Sequence, residues 1–409
     1  MKRYLCSIII GLVVLLSIGT YYVKVASSAS GLPTYTFKTI EGSDKELDPV
    51  RVKAALEQGN FYEEVTIESN QNTYESDRYR SFWSDRYDVQ IERLIKKHRS
   101  FMRGKDIIDS FYEDDDFLAY ASVNNEYTNS GKMEAEFDIG VLEKKDEEQT
   151  SFRIDLPHQE RVINTEVRDV QLIHSKLQVL TMNDVHSNDD KETREVHLYT
   201  IDLAKKKVVN DKTLVSETFT YPNQVDIEMP VNTAPSKPNN LILFSLIKGV
   251  NHEQRDYEVK LKESKVFSYQ YDTEKLTTVK GAKKESLNLD IARSGYTDGK
   301  SLYTIDDKSA KYHLKTFDLS SEVLTNDMEL DLVVNKKDQN FVAINNGRVY
   351  LLLGNRLDQK ENLTNDPAQL LIADVKTGKT LYKGETVRHA ADKKNEQKIG
   401  FFINNLEVK

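Results

Sequence analysis

One phrase recurs along this chain: a short alternating strand, an aspartate, a polar turn and a second strand. It reads VHLYTIDLAKKKVV from Val196, VFSYQYDTEKLTTV from Val266, YHLKTFDLSSEVLT from Tyr312 and LLIADVKTGKTLY from Leu370. A fifth copy, EFDIGVLEK, sets Asp138 in line with Asp202, Asp272, Asp318 and Asp374. Aspartate suits a strand end because its carboxylate accepts backbone N–H bonds and starts a turn. A single hairpin is marginal in water, so repeated copies must stack to bury their faces and cover their edges.

From Phe117 onward the period-two pattern persists, in strands such as FLAYASV, VQLIHSKLQVLTM, NLILFSLI and FVAINNGRVYLLLG, with Asn-Gly, Asp-Gly and Thr-Gly turns between them. The reading is a mainly β chain: an N-terminal transmembrane helix (1–24), a spacer and small α+β lead-in (25–110), then a β-propeller-like domain of about five to seven blades (111–409). In that arrangement each recurring phrase is the outer hairpin of one blade. A twisted sandwich or two smaller β domains are the alternatives. Within the lead-in, TYTFKTI and FYEEVTIES read as strands and PVRVKAALEQG as a short helix ended by Gly59.

At Asp374 the phrase DVKTGKTLY resembles the repeat of quinoprotein-type and related β-propellers. Asp374, Thr377, Gly378 and Tyr382 match that repeat, with Tyr382 where the family usually has Trp. The copies at Asp202, Asp272 and Asp318 keep the aspartate and lose the Thr-Gly pair. The resemblance implies architecture only, since such propellers include both dehydrogenases and scaffolds; no cofactor ligand carries over, and no cofactor is expected.

The first residues, MKRYLCSIIIGLVVLLSIGTYYVK, place about twenty uncharged residues between Arg3 and Lys24. As a helix they span roughly 30 Å, the hydrocarbon thickness of a bilayer. Residues 4–23 are therefore expected to cross the membrane once, with the N-terminus inside and the body extracytoplasmic. Tyr21 and Tyr22 stand where an interfacial aromatic belt belongs. The alternative is a secreted protein cleaved within residues 1–30, at the small residues of VKVASSASG. The sole cysteine, Cys6, lies in this segment, so the body contains no disulfide.

Net charge is −9, which disfavours a phosphate backbone as partner, so nucleic-acid binding is not expected. Against this acidic background SDRYDVQIERLIKKHRSFMRGK, residues 84–105, reads as a basic amphipathic helix capped by Ser84. Seven cations stand against Asp85, Asp88 and Glu92. Trp83, Arg93, Lys96, Lys97, Arg99 and Arg103 are the candidate partner-binding residues, facing a protein, an envelope polymer or anionic lipid. The competing reading packs Tyr87, Ile91, Leu94 and Ile95 on the β body and leaves the cations to water.

Signatures of catalysis are sparse. The eight histidines have no metal-ligand spacing, and His98 reads as a packed histidine on the helix's apolar stripe. EDDD, from Glu113 to Asp116, reads as a solvated turn rather than a Ca²⁺ loop. There is no phosphate-binding loop, nucleophile elbow or usable cysteine, so no catalytic or metal residue is assigned. NLT at Asn362 fits a glycosylation sequon in an otherwise bacterial-style sequence. The reading is a membrane-tethered binding, regulatory or scaffold protein of the cell envelope. Its alternative is a carbohydrate hydrolase or lyase using two carboxylates in the propeller channel.

Overall fold

The computed structural model describes residues 14, 32–58, 61–69, 71–78, 87–127, 133–187, 191–251, 259–279, 295–307, 309–335, 338–355, 367–389 and 400–409. Among these, no helix is long and apolar enough to cross a membrane. The span expected over residues 4–23 lies outside them apart from Val14, as do Trp83, Ser84 and Asn362.

The protein is mainly β, and among the described residues the strands form six small sheets. Sheet I comprises Gly400–Val408, Val50–Gln58, Phe61–Glu68 and Gln71–Tyr74, in that spatial order. Sheet II comprises Phe111–Glu113, Phe117–Tyr127, Met133–Glu143 and Glu148–Asp155. Sheet III runs Val162–Ile173, Lys176–Ser187, Lys191–Asp202 and Lys207–Phe219, and sheet IV runs Asn223–Glu228, Leu241–Asn251, Val259–Gln270 and Lys275–Thr278. Sheet V joins Val231–Asn232, Tyr296–Thr297, Ser301–Asp306, Lys311–Asp318 and Val323–Val333. Sheet VI joins Asp338–Asn345, Arg348–Asn355, Gln369–Asp374 and Thr380–His389, with Thr34–Gly42 added beyond the last. Small sheets built of consecutive strands are the topology of a propeller-like fold.

The recurring phrase has a position in this plan. Each copy joins the third and fourth strands of a four-strand run, across Glu143–Glu147, Asp202–Lys206, Gln270–Glu274, Asp318–Glu322 and Asp374–Gly378. In all five the last residue is left-handed, with φ of 56°, 51°, 50°, 56° and 68°. At Asp374 the carboxylate accepts the N–H groups of Lys376 (3.1 Å) and Thr377 (2.8 Å) and the Thr377 hydroxyl (2.8 Å). Asp318 does the same for Ser320 and Ser321, and Asp202 for Lys205. Two alignments fail. Asp138 sits within its strand opposite Ser122 and Arg153, and Asp272 lies two residues into its turn. The structural equivalents are Glu143 and Gln270, because the turn geometry rather than the aspartate is what repeats.

The chain divides into two compact units. One contains Met1–Glu92, Asp307–Tyr312 and Glu329–Lys409; the other contains Arg93–Asp306 and His313–Met328. In the first, the segment expected as a lead-in supplies strands to sheets shared with the C-terminal part of the chain. Val50–Gln58, expected as helix, is instead a strand held between Gly400–Val408 and Phe61–Glu68. Val50, Val52, Ala54 and Leu56 alternate into the core, and Ala55 on the other face is also buried. A central strand covered on both faces needs no polar side, so its alanines and leucine mimic a helix pattern. Sheets I and VI share this core: Tyr35 stacks on Phe401 at 4.3 Å, and Tyr382 is fully buried. Gly354 has no room for a methyl group, since a Cβ there would come within 2.4 Å of Ile403.

Beside that core lies an ion set centred on the buried Arg51. The Arg51 guanidinium donates two bonds to Glu92 (2.8 and 2.9 Å) and one to Glu68 (2.5 Å), and stands 3.6 Å from Glu407. Lys409 pairs with Glu68 at 3.0 Å and Lys53 with Glu407. Three cations thus meet three carboxylates, which is what allows Arg51 to be only 4% exposed. In the second unit, apolar clusters join sheets II and III (Ala119, Phe137, Val170, Val179, Tyr199) and sheets III and IV (Leu180, Val196, Phe244, Leu246, Tyr269). Arg51→Met removes the guanidinium from the buried carboxylates of Glu92 and Glu407; it should lower stability by about 3–5 kcal/mol in urea unfolding. A loss below about 1 kcal/mol would show that the ion set does not hold this unit.

Candidate partner surface

The basic segment is a shorter helix than its sequence suggests. It spans Val89–Lys97, and Asp88 caps it by accepting the Gln90 N–H at 2.7 Å. Arg99 to Gly104 then wind as turns, and the last of these, Gly104, has φ of +73°. Helical spacing over residues 84–105 could not distinguish one continuous helix from a helix followed by turns, because both place side chains three and four apart on one side.

The apolar stripe is real. Ile91 and Leu94 are fully buried, Phe101 and Met102 nearly so, while Tyr87 is exposed. The Phe101 ring lies over Gly140 of sheet II, where a Cβ would come within 3.2 Å of it. Lys105 donates to the Phe101 carbonyl at 2.9 Å and caps the Phe101 and Tyr120 rings at 4.9 and 5.3 Å. Gln149 bonds Ser100 at 2.8 Å. The turns after the helix are thereby fastened to sheet II.

The cations separate into two groups. Arg93 and Lys97 turn toward Glu113, at 2.6 and 3.7 Å. Lys144 and Lys237 reach the same carboxylate at 3.1 and 3.4 Å. Glu113, read from sequence as part of a solvated turn, is therefore a buried anion with a 2% exposed side chain inside a shell of four cations. Burial pushes its carboxyl up, but the Arg93 and Lys144 hydrogen bonds and the Arg93 and Lys237 charges outweigh this and hold it at about 2. A run of four acids gives no sign of which one turns inward. In the structure Glu113 is the last residue of a strand, FYE, that is buried throughout, a burial the sequence alone does not show. The neighbouring Asp114 is spent locally, accepting from Asp116, Phe117 and the Tyr112 hydroxyl.

Lys96, Arg99 and Arg103 stand exposed. His98, on the same turn, is held below its ordinary pKa by burial and then by the Lys97 and Lys144 charges. Of the six candidates, then, two are tied to Glu113, three face solvent and Trp83 lies outside the described residues. Among the described residues no group of three or more His, Cys, Asp or Glu side chains could hold a metal ion.

A second polar cluster carries no motif in the sequence. On sheet III, His197 Nε2 meets Thr213 (2.5 Å) and Glu195 (3.1 Å), while Nδ1 meets Asp211 and the Tyr199 hydroxyl, both at 3.1 Å. His197 lies opposite Thr213 in the strand register. This is a cross-strand ladder of alternating polar residues, visible in EVHLY and NDKTL once the two strands are paired.

No family model matches this chain, and no curated protein matches its sequence. Solved structures similar to it include TolB from Acinetobacter baumannii (11% identity, TM-score 0.31, 84% of this chain and 65% of that one). They also include the polysaccharide lyase Uly1 (10%, 0.38, 69% and 57%) and a luciferin-regenerating enzyme (11%, 0.28, 71% and 92%). The chain spans less than two thirds of the length of the first two. Neighbours of this kind are β-propeller-type folds at low identity.

Because the folded Glu113 value of about 2 lies below the ordinary 4.5, its stabilisation is complete above pH 4.5 and lost as pH falls toward 2. Glu113→Gln should therefore cost about 2 kcal/mol at neutral pH and flatten the acid limb of a pH–stability curve. An unchanged acid limb would show that the cations do not depend on this carboxylate.

Proposed function

We propose that this chain is a membrane-tethered, extracytoplasmic binding or regulatory protein with a six-bladed propeller-like body. Residues 4–23 anchor it as a single span, and the body meets an acidic protein or envelope polymer. Lys96, Arg99 and Arg103 form the cationic part of the contact. The observation that carries this reading is the division of labour on one short segment. Its apolar side and two of its cations hold it to the body, and Lys96, Arg99 and Arg103 lie exposed on that fixed base. Charges presented by a rigid base lose less entropy on binding than charges on a free tail.

The basic segment is a better candidate than the outer turns, whose aspartates are committed to their own backbone. It also gives the reading a specific dependence on salt, because rim charges act through association rate and ionic strength.

The test is crosslinking in the native membrane, comparing the wild type with Lys96→Gln/Arg99→Gln/Arg103→Gln. This variant keeps Arg93 and Lys97, which hold Glu113, and a urea unfolding curve matching the wild type checks that its fold is intact. Capture should fall roughly tenfold, and the remainder should lose its salt sensitivity. Equal capture at every salt concentration would remove this surface from the account. Mass spectrometry of the native protein distinguishes the anchored form, which begins at Met1, from a secreted form that begins near residue 30.

A further inference from the structure

We infer that the joint between sheets III and IV is an acid-tightened latch built on Asp169, independent of any partner the chain binds. Asp169 is a carboxyl group 2% exposed on the first strand of sheet III. Tyr271, which directly follows the third strand of sheet IV, donates its hydroxyl to Asp169 Oδ2 at 2.6 Å. The Gln171 side-chain amide donates through Nε2 to Oδ1 at 3.2 Å, and its Oε1 accepts the backbone N–H of Asn239, just before the second strand of sheet IV, at 2.8 Å. Two hydrogen-bonded links therefore cross from sheet III to sheet IV, and both involve residues bonded to this one carboxyl.

What sets the site apart is the charge around it. Every other buried carboxylate described above has a cation partner, as Glu92 has Arg51 and Glu113 has Arg93. Among the described residues no cation pairs with Asp169. Of the elements packed on its strand, Ile108–Ser110 brings Asp109, a like charge, and Phe111–Glu113 brings Glu113, already matched by its own cations; Phe117–Tyr127 carries as its only charge the exposed Glu126, and Lys176 and Asp184 of the neighbouring strand stand opposite Ile173 and Asn164. Opposite it on the neighbouring strand is Leu180, which is apolar. Tyr269 and Tyr271 complete the surroundings as an edge-on ring pair at 5.4 Å. An uncompensated carboxylate in such a place is unfavourable, so the neutral acid is the form that fits.

Burial, reinforced by the Asp109 charge and opposed by the Tyr271 and Gln171 hydrogen bonds, raises the Asp169 pKa from 3.8 to about 6. A folded value above the unfolded one means that the folded chain binds the extra proton. The Asp169 contribution to stability is therefore greatest at low pH, falls between pH 3.8 and about 6, and is level above that. Ionisation places a charge at the joint, and the two sheets should open there more often. The latch makes the joint between sheets III and IV tighter at acid pH than at neutral pH.

The test is hydrogen exchange and urea unfolding of the full chain in detergent at pH 4.5 and 7.5, for wild type, Asp169→Asn and Tyr271→Phe. Exchange rates are compared after correction for the intrinsic pH dependence of amide exchange. In the wild type, the Asp169 contribution should raise the unfolding equilibrium constant roughly 25-fold from pH 4.5 to 7.5. Protection should drop in Val162–Ile173 and Val259–Gln270. Asp169→Asn, which keeps a polar group of the same shape without the charge, should remove that increment. Tyr271→Phe, which removes a bond favouring the carboxylate, should move the transition to higher pH. If Asp169→Asn retained the full wild-type increment, or if protection in those two strands did not differ between the two pH values, the latch would be overturned. Should Asp169→Asn fail to fold, the direction of the Tyr271→Phe shift decides, and no shift or a downward one overturns the proposal.

Discussion

The interaction on which the first unit rests is the pairing of Val50–Gln58 with Gly400–Val408. The register runs from Val50 opposite Val408 to Glu57 opposite Gly400, with one irregularity after Lys53. Sheets of four short strands are stable only when their faces are covered and their edges protected. Here the last strand of the chain covers the edge of one of the first. A second such pairing places Thr34–Gly42 on Thr380–His389. Both pairings join residues more than three hundred positions apart, so the two ends of the sequence must be present together before either sheet is complete. Contacts this distant in sequence form late and slowly, because the intervening chain must be ordered first.

Around these sheets the protein places its buried charges in sets rather than pairs. Arg51 gathers Glu68, Glu92 and Glu407, and Glu113 gathers Arg93, Lys97, Lys144 and Lys237. Taking an ion out of water costs several kcal/mol, and only several short, well-directed partners offset that cost. The consequence for function is subtractive. A segment that looks uniformly basic in sequence has its cations divided between holding the fold and facing solvent. Asp169 shows the opposite case, a buried acid without a cation, and its response to pH follows from that difference.

Much of the architecture was legible because turns and alternation are local. The recurring hairpin, the predominance of strands and the apolar stripe of Ile91, Leu94, Phe101 and Met102 could each be read within about a dozen residues. What could not be read depended on the partner. Val50–Gln58 looked helical because a strand buried on both faces loses its alternation. Asp138 aligned with the turn aspartates by composition, whereas the structure repeats a left-handed residue at the fifth turn position, filled by Glu147, Lys206, Glu274, Glu322 and Gly378. Glu113 was indistinguishable from Asp114, Asp115 and Asp116, since only the cations arriving from distant segments single it out. The His197 ladder needed the register of two strands before it existed at all.

Removing the last strand tests this account most directly. A chain ending at residue 399 should lose the cooperative urea transition of the first unit, with a lower midpoint and a smaller m value, because Val50–Gln58 is left as a bare apolar edge. A synthetic peptide of residues 400–409 added in excess should restore part of the transition. A truncated chain that unfolded at the full-length midpoint with an unchanged m value would contradict the claim that pairing between the first and last strands holds the unit together.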